Sequence, residues 1–287
     1  MHRAGLSAAK GTPPSHGHAA LGNRPARVLY CVASARAACT RAKHRLPLPK
    51  GLRLMQHTYA LFDFDGTLIR GDSILLLCLY ARRKKLASVA QTLATLWAAL
   101  RYGLKLLPPE RAKEGALRFL AGRPKAEVDA IVADFYRAAL APRLRPEGIE
   151  AVRAHVAAGH RTLLVSASSA FYLEPVKAAL GFDDVIATRW DADATGALTG
   201  HVCGDNCRGV QKALRLAEYL AAKGDRLDFE TSTAYGDSYG DLPMLRLCRH
   251  RVAVNPKRKL LRALRGDADA TRVCWREPEK PVPAAKG

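Results

Sequence analysis

A parallel α/β core interrupted by a helical insert is the fold class predicted for this chain, and three observations predict it. Three short apolar, β-branched or aromatic runs each end in residues capable of chemistry. They are Tyr59-Ala60-Leu61-Phe62 before Asp63, Thr162-Leu163-Leu164-Val165 before Ser166, and Thr231-Ser232-Thr233-Ala234-Tyr235 before Gly236-Asp237. Helical stretches rich in Ala, Leu and Arg separate the first run from the second. In open α/β sheets ligands bind at the carboxyl ends of the strands, so these strand ends point to one shared site.

The first strand leads into Asp63-Phe64-Asp65-Gly66-Thr67. Side chains alternate along an extended chain, which places Asp63 and Asp65 on one side, and Gly66 permits a sharp turn. Two carboxylates held together oppose each other's ionisation. A divalent cation removes that conflict, and hard oxygen ligands suit Mg²⁺. Taken alone, the pentapeptide also fits a polar strand end with an Asp-Gly turn.

Gly71-Asp72-Ser73 then precedes an apolar helix, where Asp72 suits the N-cap position. Residues 86–107 have helical period, carry no charge from 86 to 100, and stop at Pro108-Pro109. This run is too short to span a bilayer, and Arg101 and Lys105 follow at once. It is expected to be a buried helix of the insert, with weak membrane-surface contact as the alternative. Helices over 109–120 and 125–140 complete a small bundle, and Pro142 and Pro146 lead back to the core.

After the second strand, Ser166, Ala167 and Ser168 are small enough to let backbone N–H groups approach a phosphate. A helix over 174–180, a strand over 185–188 and a turn over 193–197 into 198–202 form the next unit, ending in a β-hairpin. Arg208 and Lys212 lie four apart, on one face if a helix has begun. Gly236-Asp237-Ser238-Tyr239-Gly240-Asp241 brings a second carboxylate pair, with Pro243 tolerated in the first turn of the helix that follows. Residues 252–254 read as a last core strand.

In this order, Asp63-x-Asp65-Gly66-Thr67, Ser166, a downstream basic residue and Gly236-Asp237-Ser238-x-x-Asp241 resemble the four motifs of the haloacid dehalogenase-like phosphatases. Val165-Ser166-Ala167-Ser168, Ile186-Ala187-Thr188-Arg189 and Tyr235-Gly236-Asp237-Ser238 are most similar to subfamily IB, the phosphoserine phosphatase-like branch. The resemblance covers about residues 57–275. It implies a Rossmann-like parallel sheet core with an inserted α-helical cap, and hydrolysis of a small anionic phosphomonoester.

By the same resemblance Asp63 is the nucleophile that forms an aspartyl-phosphate, and Asp65 is the acid and then the base. Mg²⁺ is implied at the Asp63 carboxylate, the Asp65 main-chain carbonyl and Asp237, with Asp241 in support. Ser166, the Ala167 amide and a basic side chain would hold the phosphoryl oxygens. Phosphoserine phosphatases carry Lys where Arg208 stands, and closer IB relatives carry Lys where Lys212 stands. Lys212 is favoured, because a compact ammonium suits both nucleophile and phosphate, and Arg208 would then bind substrate or be structural. Asp72 occupies the place of a Glu that contacts the substrate ammonium in phosphoserine phosphatases. Asp72 and Ser168 are therefore placed on the substrate side, and amino-alcohol phosphates lead, L-histidinol phosphate ahead of phosphoserine. Asp65 argues against carbon–halogen cleavage, which needs no acid for its leaving group.

The chain of 287 residues carries 46 Lys and Arg against 26 Asp and Glu, a net charge of +20 that favours anionic partners. Residues 1–62 contain no acid. The expected organisation is a disordered basic leader over 1–54, a core over 55–73 and 147–277, a cap over 74–146 and a disordered tail over 278–287. A start placed upstream of Met55 is the leading account of the leader, ahead of a transit-type segment or a nucleic-acid arm. Nucleic-acid binding is disfavoured, because no stacking aromatics interleave the basic residues near the C-terminus. A phosphotransferase using the same aspartyl-phosphate is the rival enzyme. Seven scattered Cys read as free thiols, since Cys203, Cys207 and His201 fall short of a structural zinc site. With no signal peptide recognisable, a cytoplasmic protein is expected. Composition and motifs leave the oligomeric state open.

Overall fold

The computed structural model describes residues 55–277; the readings placed on 1–54 and 278–287 lie outside the described residues. The strands are β1 (Met55–His57), β2 (Tyr59–Phe62), β3 (Arg161–Ser169), β4 (Asp184–Ala192), β5 (Leu198–Cys203), β6 (Asp225–Leu227), β7 (Thr233–Gly236), β8 (His250–Val254) and β9 (Ala270–Val273). Seven of them form one sheet in the order β5-β4-β3-β2-β7-β8-β9. Every pairing in it is parallel except β4 with β5, the expected hairpin. β1 and β6 make a separate parallel pair.

Alternation sets the two faces of the sheet. Ala60 and Phe62 of β2 join Leu164 of β3 in one apolar cluster, while Tyr59 and Leu61 join Leu163 and Val165 in the other. Phe62 stands in register with Tyr235 of β7, and their rings stack 4.3 Å apart. An acid follows each strand of this central pair, Asp63 after β2 and Asp237 after β7, so the two strands deliver their carboxylates side by side.

Between β2 and β3 lies the helical insert: α1 (Ser73–Arg83), α2 (Val89–Gly103), α3 (Pro109–Leu117) and α4 (Lys125–Phe135), closed by a wide π turn over Tyr136–Leu140 that runs up to Pro142. Leu77, Leu117 and Phe135 of the insert enter the same cluster as Phe62 and Leu164, which seats the insert on that face of the core. The remaining helices are α5 (Pro146–Ala157), α6 (Ala170–Leu180), α7 (Val210–Lys223), α8 (Leu242–Leu245) and α9 (Arg258–Ala263).

The expected buried helix over 86–107 is the clearest correction. α2 is shorter, and its apolar stripe faces outward: Leu93 is 61% exposed and Trp97 62%. The helix packs through its small and polar side instead. The Thr95 hydroxyl donates to the Gly115 carbonyl at 3.5 Å, and Ala98 lies against Gly115 of α3. A helical period shows that a stripe exists, not which way it points. β1, β6, β9 and α9 escaped sequence reading because they are short and rich in polar or basic residues. No helix among the described residues is long and apolar enough to cross a membrane.

Candidate active site

β2 ends at Phe62, so Asp63 already stands on the turn beyond it. Its amide donates to the Tyr235 carbonyl at 3.0 Å, which ties that turn to the end of β7. From Asp63 onward strand alternation no longer holds. Asp63 and Asp65, expected on one side, accept hydrogen bonds from different partners.

Asp63 is buried. Its Oδ1 accepts from the Lys212 ammonium at 2.6 Å and its Oδ2 from the Thr67 hydroxyl at 3.1 Å. Lys212, fully buried on the first turn of α7, also donates to Asp241 Oδ1 at 2.6 Å and to the Val165 carbonyl at 2.8 Å. One ammonium thus ties together the ends of β2 and β3 and the segment after β7. Asp241 closes a capping box by accepting from the Ser238 amide and hydroxyl at 2.9 and 2.7 Å. Burial works against the Lys212 charge, but Asp241 and Asp63 outweigh it and hold the ammonium above the usual lysine range. For Asp63, burial and then Asp241 push the carboxyl up, against the pull of Lys212.

Oxygens of Asp63, Asp237 and Asp241 lie within 4.8 Å of one another, all three residues buried. Asp237 is met on its other side by the Lys257 ammonium at 2.6 Å. Three carboxylates against two ammoniums leave one negative charge in excess. That hard-oxygen donor set fits a divalent cation such as Mg²⁺. Two glycines make the approach possible. A Cβ on Gly66, whose φ is +85°, would stand 2.3 Å from Asp237 Oδ2, and one on Gly236 would stand 2.6 Å from Asp241 Cβ.

Asp65 turns toward the insert. Its carboxylate accepts from the Ser73 amide at 2.7 Å, the Ser73 hydroxyl at 3.1 Å and the Ser168 hydroxyl. Tyr172 joins the same network through Ser73 at 2.9 Å. Burial, then the charge of Asp72, push the Asp65 carboxyl up to about 6, against these hydrogen bonds. Asp72 itself is exposed, and its side chain accepts from the Leu75 amide at 3.0 Å, capping α1. The Ser166 hydroxyl accepts from the Ser168 amide at 3.0 Å, so Ser166, Ala167 and Ser168 wrap tightly at the end of β3.

Two cations that motif reading did not place belong to this neighbourhood. Lys257 follows β8, the strand beside β7, so strand order alone brings it to the site. Lys113 of α3 donates to the Ala167 carbonyl and to Asn206 Oδ1, with Thr188 completing the cluster. Burial lowers the Lys113 ammonium to about 8. A cavity of about 970 Å³ opens beside the segment after β7, lined by Glu110, Asn206, Arg208, Ser238, Tyr239 and Lys257 among others, and the carboxylates of Asp63, Asp65, Asp237 and Asp241 are not in its lining. Arg208 is exposed and lines this cavity, while Lys212 is buried among the carboxylates.

A family model described as haloacid dehalogenase-like hydrolase matches residues 60–246. The chain belongs to that family. Over 203 residues it is 32% identical to a protein named histidinol-phosphatase from Neisseria meningitidis serogroup C, covering 70% of this chain and 91% of that protein. A phosphoserine phosphatase of Mycobacterium tuberculosis is 28% identical over 207 residues, 70% of this chain and 66% of that one. Among solved structures, a Bordetella pertussis protein of unknown function is similar at a TM-score of 0.70 and 28% identity, over 77% of this chain and 99% of its own. A substrate-bound phosphoserine phosphatase shares the fold at a TM-score of 0.52 and 20% identity, over 76% of this chain and 92% of its own. This haloacid dehalogenase-like chain is a hydrolase of the phosphatase type.

Proposed function

We propose that the protein hydrolyses small phosphomonoesters through a covalent phosphoryl group on Asp63, with a division into the core over 55–73 and 147–277 and the cap over 74–146. The observation that carries this reading is the buried cluster in which Asp63 meets Lys212, Asp237 and Asp241. A Mg²⁺ ion held by Asp63, Asp237 and Asp241 would neutralise charge on the transferring phosphoryl group. Thr67 and Lys212 orient the Asp63 carboxylate, one of whose oxygens attacks phosphorus as the bond to the alkyl oxygen breaks. Asp65, raised to about 6, gives its proton to the departing alkoxide. It then takes a proton from water, whose oxygen attacks the same phosphorus. Inorganic phosphate leaves and the Asp63 carboxylate is restored. Ser166, the Ala167 amide and Lys212 hold phosphoryl oxygens, and Ser168 and Arg208 lie on the substrate side.

L-histidinol phosphate is the substrate we put first and phosphoserine second. The support is the 32% identity, over most of its length, to the protein named histidinol-phosphatase, together with a carboxylate at Asp72 near the site. Asn also caps helices well, so Asp72→Asn removes the charge and keeps the cap. Phosphate release should be measured on histidinol phosphate, phosphoserine, glycerol phosphate and nucleotides, with Mg²⁺ or a chelator. Metal-dependent release, strongest with histidinol phosphate and weakened selectively on amino phosphates in Asp72→Asn, is the expected result. A better non-amino substrate would refute the choice of substrate while leaving the reaction class intact.

A further inference from the structure

We infer that the outward face of α2 docks the protein on an anionic lipid bilayer surface. Val89, Leu93, Leu96, Trp97, Leu100 and Leu104 fall at helical spacing and are each more than half exposed. Leu75 and Leu79 of α1, the neighbouring helix of the insert, are likewise 55% and 60% exposed. Soluble domains hide such a stripe, and here the small polar side is the one packed inward, through Thr95 and Ala98 on Gly115.

The charge around the stripe selects the occupant. From residue 73 to residue 109 there is no Asp or Glu, and Arg82, Arg83, Lys84, Lys85, Arg101 and Lys105 bracket the helix. All six are exposed; Lys84 pairs with Asp134. A second copy of the chain would set one cationic collar against another. A bilayer bearing anionic headgroups satisfies both halves at once, taking the leucines and Trp97 at the acyl boundary and the cations among the phosphates. Residues 1–54, with ten Lys and Arg and no acid, add charge of the same sign. α2 packs against α3, whose Lys113 reaches the catalytic neighbourhood, so the docked face adjoins the part of the insert that meets the core.

The test is co-sedimentation of the full chain with phosphatidylcholine vesicles, with and without phosphatidylglycerol. Binding to the anionic vesicles alone is expected, with a blue shift of Trp97 emission that is missing in Trp97→Phe, and loss in high salt. The double variant Leu96→Gln/Trp97→Gln should bind at least about tenfold more weakly. Arg82→Gln/Arg83→Gln should bind roughly 30-fold more weakly. Both should keep wild-type turnover of a soluble phosphate ester, so a failure here is distinct from a failure of the phosphatase reading. No partition onto anionic vesicles would overturn the inference. So would binding unchanged in Leu96→Gln/Trp97→Gln, or a dimer in ultracentrifugation that this variant dissociates.

Discussion

Gly66 shows most sharply how single residues build the site. Its φ of +85° lies in the left-handed region, and the space a Cβ would take is occupied by the Asp237 carboxylate. Gly66→Ala is therefore expected to cost about 1–2 kcal/mol for the backbone alone. Displacement of Asp237 should in addition lower kcat by roughly 100-fold or more, about 3 kcal/mol in the barrier. Denaturant unfolding and steady-state kinetics check both, and wild-type turnover in the variant would contradict the packing described. Asp63, Asp237 and Asp241 were legible because each sits at a strand end or in the turn after it, whereas local spacing left Arg208 and Lys212 both open and the family resemblance favoured Lys212. Lys257 and Lys113 were not legible. Each reaches the site through strand order or insert packing, which no local spacing encodes.

Helix α5 carries a titrating group at its interface with the sheet. His155 Nε2 lies 2.9 Å from the Tyr235 hydroxyl, Nδ1 lies 2.8 Å from His160 Nδ1, and the ring stands edge-on to Phe62. Burial, then the proximity of His160, lower the His155 imidazole from its ordinary 6.5 to about 4. Between those values the unfolded chain takes up a proton that the folded protein refuses. This contribution to stability is thus complete above about pH 6.5 and is lost as pH falls toward 4. Urea midpoints measured across that window should fall with pH in the wild type and fall less in His155→Gln. Equal slopes would remove His155 from the account. At this same scale the sequence proved ambiguous: α2 shows a clear stripe, yet its outward direction follows from which side meets α3, where Thr95 and Ala98 lie against Gly115.

The whole molecule joins an acid-poor, apolar insert face to a core whose acids converge at one sheet edge. At the proposed Mg²⁺ site folding stability and metal affinity would be linked, because the three carboxylates come together only in the folded chain. Mg²⁺ at about 100 times its dissociation constant should raise unfolding free energy by about 2.7 kcal/mol. Thermal unfolding should show that rise in the wild type and little of it in Asp237→Asn, and an equal rise in both would exclude Asp237 as a ligand. The parallel core was legible from three strand ends; its strand order, the separate β1–β6 pair and the exposed insert were not, since all three depend on contacts made across the chain.

The central claim is that phosphorus is transferred to Asp63. Rapid quench of the enzyme during turnover, reduction of the acyl phosphate with borohydride and peptide mass spectrometry test it most directly. Label is expected on the peptide containing Asp63, with neither label nor turnover in Asp63→Asn. Label on another residue, or turnover that survives in Asp63→Asn, would contradict it.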